Sequence, residues 1–109
     1  MTVSEVIAAV KAGQSLEKAD LSGLDLSGQD LRKAKLSFAN LKGCNLQGAD
    51  LRDAVLNEAD LSYANLRDAD LRGSNLKRTN LTRADRTGAK IRKWALKKAF
   101  IAGPTAYRS

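Results

Sequence analysis

Leucine occupies residues 16, 21, 26, 31, 36, 41, 46, 51, 56, 61, 66, 71, 76 and 81, every fifth position through the middle of the chain. Neither an α-helix, with a period of 3.6 residues, nor a β-strand, with a period of 2, keeps a five-residue repeat on one face over such a length. A chain with this pattern must change direction after every repeat so that each leucine returns to a common interior. The core must also be regular. Of 109 residues, 43% are hydrophobic but only 5% are aromatic, so leucine and alanine have to pack in register where large rings would otherwise fill the space.

The residues around each leucine repeat as well. Two positions before it the side chain is usually small, as at Ala19, Ala34, Ala39, Cys44, Ala49, Ala54, Ala59, Ala64, Ala69, Ser74 and Thr79. One position before it stands Asp or Asn nearly throughout, from Asp20 to Asn80. The resulting pattern, A(D/N)LXX, resembles the pentapeptide-repeat family across about residues 14–88. The resemblance implies an all-β fold, a right-handed quadrilateral parallel β-helix in which four pentapeptides form one square coil. On that reading the leucine and the small residue point inward. The Asp or Asn stands at the corner, where its short side chain can bond nearby backbone groups. Successive coils pair as parallel strands roughly 4.8 Å apart. Leu24 and Gln29, which replace the small residue, predict an irregular or wider first turn of the stack. Lys35 and Val55, which replace Asp or Asn, read as tolerated variation.

A solenoid exposes an apolar cross-section at each end and needs caps. The sequence therefore divides into an N-terminal capping helix (1–13), the repeat (14–88) and a basic C-terminal capping helix and tail (89–109). Thr2 with Glu5 matches a capping box, Val3, Val6, Ile7 and Val10 recur at helical spacing, and Gly13 provides a stop, which predicts a helix over 3–12. At the other end Arg86 stands where a leucine is due, and a guanidinium does not suit a leucine-filled interior, so the repeat is expected to fail there. The segment KIRKWALKKAFIAGP predicts a helix over 89–101 ended by Gly103 and Pro104. Ile91, Trp94, Ala95, Phe100 and Ile101 would form its apolar side over the last coil. The family resemblance adds a homodimer contact, for which Trp94, Phe100 and Ile101 are the candidates.

Charge is unevenly placed. Residues 1–70 carry 8 Lys and Arg against 11 Asp and Glu, whereas residues 71–109 carry 11 against 1. The triplet DLR recurs at 30–32, 50–52 and 70–72 and is followed by KIR at 90–92. With twenty residues per coil, Arg32, Arg52 and Arg72 stack on one face beside Asp30, Asp50 and Asp70. A self-neutralising surface ladder is the favoured reading. The alternative is a stripe for an anion or acidic partner, because Arg forks suit carboxylates and phosphates. Arg32, Arg52, Arg72, Arg92, Lys93, Lys97 and Lys98 are accordingly the candidate partner-binding residues.

No catalytic, cofactor-binding or metal-binding residue is expected. The chain has no histidine, and its one cysteine, Cys44, falls in an inward small-residue slot, which suits a structural thiol. The first ten residues carry Glu5 and no basic segment and are followed by Lys11, too short an apolar run for a signal peptide or membrane span; the cytoplasm is the expected compartment. The best-known activity of the resembling family is mimicry of DNA by long acidic rods that bind type II topoisomerases. It fits poorly here, since B-DNA carries one negative charge per roughly 1.7 Å and this chain has a net charge of +7. A non-enzymatic interaction or scaffold module with an unknown protein partner is the leading expectation. Non-specific polyanion contact through the basic C-terminal end is the alternative.

Overall fold

The computed structural model describes residues 1–101. From Ser15 to Lys90 every fifth residue forms an isolated parallel bridge with a residue 20 positions away, as in Asp20↔Asn40↔Asp60↔Asn80 and Asp30↔Asp50↔Asp70↔Lys90. Four such columns, each offset by five residues, make four sides per coil. The sides are single bridges, shorter than the expected parallel strands, because most of each pentapeptide is spent on turning.

The turn begins at the leucine. Its carbonyl accepts from the N–H three residues on, as in Ala49→Leu46 at 3.0 Å and Ala64→Leu61 at 3.1 Å, and the residue two after it has a positive φ, as a type II turn requires. Glycine fills many of these corners, yet Lys18, Lys33, Phe38, Asp53, Glu58, Tyr63, Asp68, Arg78 and Arg83 adopt the same conformation at φ between 54° and 64°. Hydrogen bonds between coils hold them there. Asp53 N–H donates to the Arg72 carbonyl at 3.1 Å, and Glu58 N–H donates to that of Lys77 at 2.9 Å. The Asp or Asn lies on the bridge itself and not at the corner. Its side-chain oxygen accepts from the N–H two residues on, as in Lys42→Asn40 at 3.0 Å and Ser62→Asp60 at 2.9 Å, so it satisfies the first N–H of the turn.

Inside, the leucines at the repeat positions from Leu21 to Leu81 are at most 1% exposed, and alanines from Ala34 to Ala84 lie between them. Cys44 takes its expected slot and donates from Sγ to the Leu21 carbonyl at 2.9 Å; burial pushes its thiol up to about 11. Leu24 and Gln29 do not disrupt the first coil. Both remain half-buried, the neighbouring bridges persist, and their turn bonds lengthen only to 3.2 and 3.3 Å.

Helix α1 (Val3–Lys11) covers the first coil. The capping box forms in both directions, Glu5 N–H to Thr2 Oγ1 at 3.2 Å and Thr2 N–H to Glu5 Oε1 at 2.8 Å. Val6 and Ala9 are buried in the same apolar cluster as the leucines, with Val3, Ile7 and Val10 packed at its edge.

The C-terminal end differs from expectation. Arg86 does not end the repeat: it occupies the leucine position at 6% exposure, and the ladder continues past it through Ala89→Arg86, Lys90→Ala69 and Leu71→Lys90. Desolvation lowers the pKa of its guanidinium. The helix expected over 89–101 is reduced to α2 (Lys93–Leu96). Beyond it the pentad returns, because the edge of the stack offers unfilled backbone groups: Ala99 N–H closes a turn on the Leu96 carbonyl, Phe100 N–H donates to Thr79, and Leu81 N–H donates to Phe100. Trp94 and Phe100 consequently point away from the core, at 58% and 56% exposure, and Ala95 is the buried residue of α2. The expected helix stop at Gly103 and Pro104 lies outside the described residues. Among the described residues no helix is long and apolar enough to cross a membrane.

Candidate interaction surface

The twenty-residue register decides which surface side chains meet. Positions one before a leucine and one after it face outward on the same side, so each DLR triplet presents an aspartate and an arginine together. The pairs are bidentate. Arg32 Nε and Nη2 donate to Asp30 Oδ1 and Oδ2 at 2.9 and 2.8 Å, Arg52 to Asp50 at 2.9 and 2.7 Å, and Arg72 to Asp70 at 2.9 and 2.6 Å. Coils are linked too, since Arg32 Nε lies 3.8 Å from Asp50 Oδ2 and Arg52 Nε lies 3.8 Å from Asp70 Oδ2. Hydrogen bonds from the arginine side chains hold the carboxyl groups of Asp30 and Asp70 down to about 2 and lower that of Asp50.

This geometry brings together Arg32, Arg52 and Arg72 as the sequence predicts, but it spends their forks on carboxylates of the same chain. Arg92 continues the column. It precedes α2 and lines a surface depression of about 260 Å³ with Arg52, Asp53, Arg72 and Gly73. Lys93, Lys97 and Lys98 are exposed and lie outside that depression; Lys98 Nζ sits 5.7 Å from the centroid of the Trp94 ring. Arg92, Lys93, Lys97 and Lys98 form no ion pair among the described residues. Ile101 is at the margin of exposure, at 36%.

A second, larger cleft of about 630 Å³ lies where α1 meets the ladder, lined by Ile7, Val10 and Lys11 on one side and by Asp30, Arg32, Lys33, Arg52 and Asp53 on the other. Neither cleft was visible from the local sequence. Two cross-coil ion pairs were also missed, Arg78 with Glu58 and Arg67 with Asp85, the latter at 3.2 Å. Their signal is opposite charge at separations of 20 and 18 residues, the two offsets that the bridge register makes adjacent. Among the described residues no cluster of His, Cys, Asp and Glu is placed to hold a metal ion.

The sequence profile of pentapeptide repeats matches residues 15–48, 34–73 and 59–93, in 8 copies. No curated protein matches the chain. Among solved structures, a pentapeptide repeat protein from Nostoc is similar at 39% identity and a TM-score of 0.81, with 94% of this chain and 88% of that one covered. A pentapeptide repeat protein from the thylakoid lumen of Arabidopsis thaliana is similar at 38% identity and a TM-score of 0.73, over 89% of this chain and 63% of that one. One from the cyanobacterium Cyanothece is similar at 31% identity and a TM-score of 0.64, over 81% of this chain and 60% of that one.

Proposed function

Because the chain belongs to the pentapeptide-repeat family, we propose that it is a non-enzymatic protein-interaction or scaffold module, a rigid right-handed quadrilateral β-helix that presents its C-terminal end to a partner protein. One concentration of charge carries this reading. Along the coils the Arg–Asp ladder is matched within the chain, although Phe38 and Tyr63 also stand exposed there. At the C-terminal end Trp94 and Phe100 stand exposed in a segment that also carries Arg92, Lys93, Lys97 and Lys98, four basic side chains that form no ion pair among the described residues. Trp and Arg are side chains on which protein interfaces concentrate their binding energy, so Trp94 and Arg92 are the anchors and the lysines around them steer an acidic partner; a stack held by backbone bonds between coils presents them with little backbone ordering cost. A contact of Trp94, Phe100 and Ile101 with a second copy is the homotypic form of the same idea.

The second reading is sequence-independent contact with a polyanion, supported by 11 Lys and Arg against 1 acidic residue in residues 71–109. Both are tested by retention of proteins from a lysate of the source organism on the full-length chain, with and without nuclease. A variant carrying W94A, K97Q and K98Q, shown to be folded by circular dichroism, serves as the comparison. The module reading expects a defined partner retained by the wild type, lost with the variant and indifferent to nuclease. Retention that disappears on nuclease treatment moves the assignment to the polyanion reading, and no retained protein, or equal retention by the variant, refutes the interaction surface.

A further inference from the structure

The Arg–Asp ladder lacks one rung. In each coil the arginine grips its own aspartate and approaches the aspartate 18 residues later, Arg32 to Asp50 and Arg52 to Asp70, both at 3.8 Å. For Arg72 the residue at that separation is Lys90. Its backbone keeps the register, since Lys90 bridges Asp70 as Asp70 bridges Asp50. The fold therefore holds at position 90 a side chain of the wrong sign where the two preceding coils hold a carboxylate. Arg92 shares the deficit. It stands one coil beyond Arg72, its own triplet begins with Lys90, and it forms no ion pair among the described residues. Arg72 and Arg92 line the same depression of about 260 Å³, with Arg52, Asp53 and Gly73.

We propose that this depression is a docking site for an acidic segment of a partner protein, one of whose Asp or Glu carboxylates seats between Arg72 and Arg92, beside the ladder whose next aspartate is replaced by Lys90. The inference rests on the interaction-module reading and names the surface and the chemistry of the partner. Three features favour a peptide carboxylate. The depression is smaller than the roughly 300–1,000 Å³ of small-molecule pockets and suits the end of one side chain. Asp53 and Asp70 are interleaved with the cations, so a phosphate backbone, with a charge at every step, would be pressed against carboxylates, whereas a single carboxylate completes an alternating column. Trp94 stands exposed two residues beyond Arg92 in the sequence, a side chain of the type suited to anchor an apolar neighbour of the bound carboxylate.

Gly73 keeps the site open. It turns its corner at φ +77°, and a Cβ added there would stand 2.2 Å from Asp53 Oδ1, so a side chain at 73 would displace Asp53.

Trp94 is the only tryptophan in the chain, and its fluorescence reports occupancy. The probes are a blocked hexaglutamate peptide and an oligothymidylate of the same charge, titrated into the full-length protein. The decisive variant is Lys90→Asp, which supplies the missing rung within the chain at a position where the repeat normally carries Asp or Asn. Lys42→Asp makes the same change of charge away from the depression, at an exposed position outside the candidate surface, and circular dichroism checks that both fold. The proposal expects the peptide to bind better than the oligonucleotide, K90D to weaken peptide binding by about tenfold or more, and K42D to weaken it by no more than about threefold. Equal losses in the two variants would mean net charge alone and overturn the site. Tighter binding of the oligonucleotide than of the peptide would overturn it in favour of nucleic acid. Absence of peptide binding to the wild type would overturn it as well while leaving a partner retained from lysate untouched, so the two readings fail separately.

Discussion

Replacing Leu56 by Ala weighs the interior most directly. Leu56 is fully buried and stands in a column between Leu36 and Leu76, which are each 1% exposed. The substitution removes three carbons, a transfer loss of about 2.4 kcal/mol at ~0.8 kcal/mol per buried methylene. The remaining cost depends on how far the walls collapse into the space. Here they are pinned by backbone bonds, Leu56 N–H to the Asn75 carbonyl at 3.0 Å and Ala59 N–H to that of Leu56 at 3.0 Å. The total should therefore fall in the upper part of the range of about 2–5 kcal/mol for such changes, a large share of the ~5–15 kcal/mol that holds a typical domain. Urea titration followed by circular dichroism, with the slope compared between wild type and variant, measures it. Leu16, at 5% exposure in the first coil, has a coil on one side only and should lose less. A loss below about 1 kcal/mol at Leu56 with unchanged slope would remove leucine from the role of close-packed core on which the whole architecture rests.

The remaining expectations concern the turns, the stack's end and pH. Gly43→Ala and Gly73→Ala impose similar strain, at φ +69° and +77°, but only Gly73 is covered by a neighbouring side chain; Gly73→Ala should cost more in thermal melting, and adding Asp53→Ala should recover part of the difference. Arg86→Leu returns the repeat's own residue to a buried position and should leave urea stability unchanged or raise it by up to about 4 kcal/mol, as replacement of buried ionic groups by apolar ones commonly does; a clear fall would mean that Arg86 makes contacts worth more than its desolvation. Asp30 and Asp70 have folded-state values of about 2 against an ordinary 3.8, so their contribution is complete above about pH 5 and is lost as the pH falls through 3.8 toward 2. With no histidine in the chain, the melting temperature should vary little from about pH 6 to 8 and drop between about 4 and 2; a drop already complete by pH 5 would contradict the lowered values.

Five-residue periodicity made the inward leucines and the slot of Cys44 legible before any coordinates, because each depends only on position within the repeat, and the family resemblance supplied the four-sided coil that stacks the DLR triplets in one column. The C-terminal end was misread for a physical reason. Judged locally, a guanidinium does not belong among leucines, and the spacing of Ile91, Trp94, Ala95 and Phe100 resembles one face of a helix. Neither signal outweighs the backbone: the last full coil presents groups such as Leu81 N–H and the Thr79 carbonyl, and Phe100 satisfies both, so the pentad returns after one turn of α2 and leaves Trp94 outside. The same hierarchy explains the surface. The self-neutralising ladder favoured from the sequence is what Arg32, Arg52 and Arg72 form, each on the aspartate of its own triplet, with the 18-residue offset bringing Arg32 and Arg52 beside the next aspartate as well. What then distinguishes the C-terminal end is one substitution within a rigid register, Lys90 in the place of an aspartate. The bridge to Asp70 holds that position fixed, so the excess positive charge of Lys90, Arg72 and Arg92, which Asp70 meets in part, cannot be relieved by moving the backbone and leaves room for a carboxylate from outside the chain.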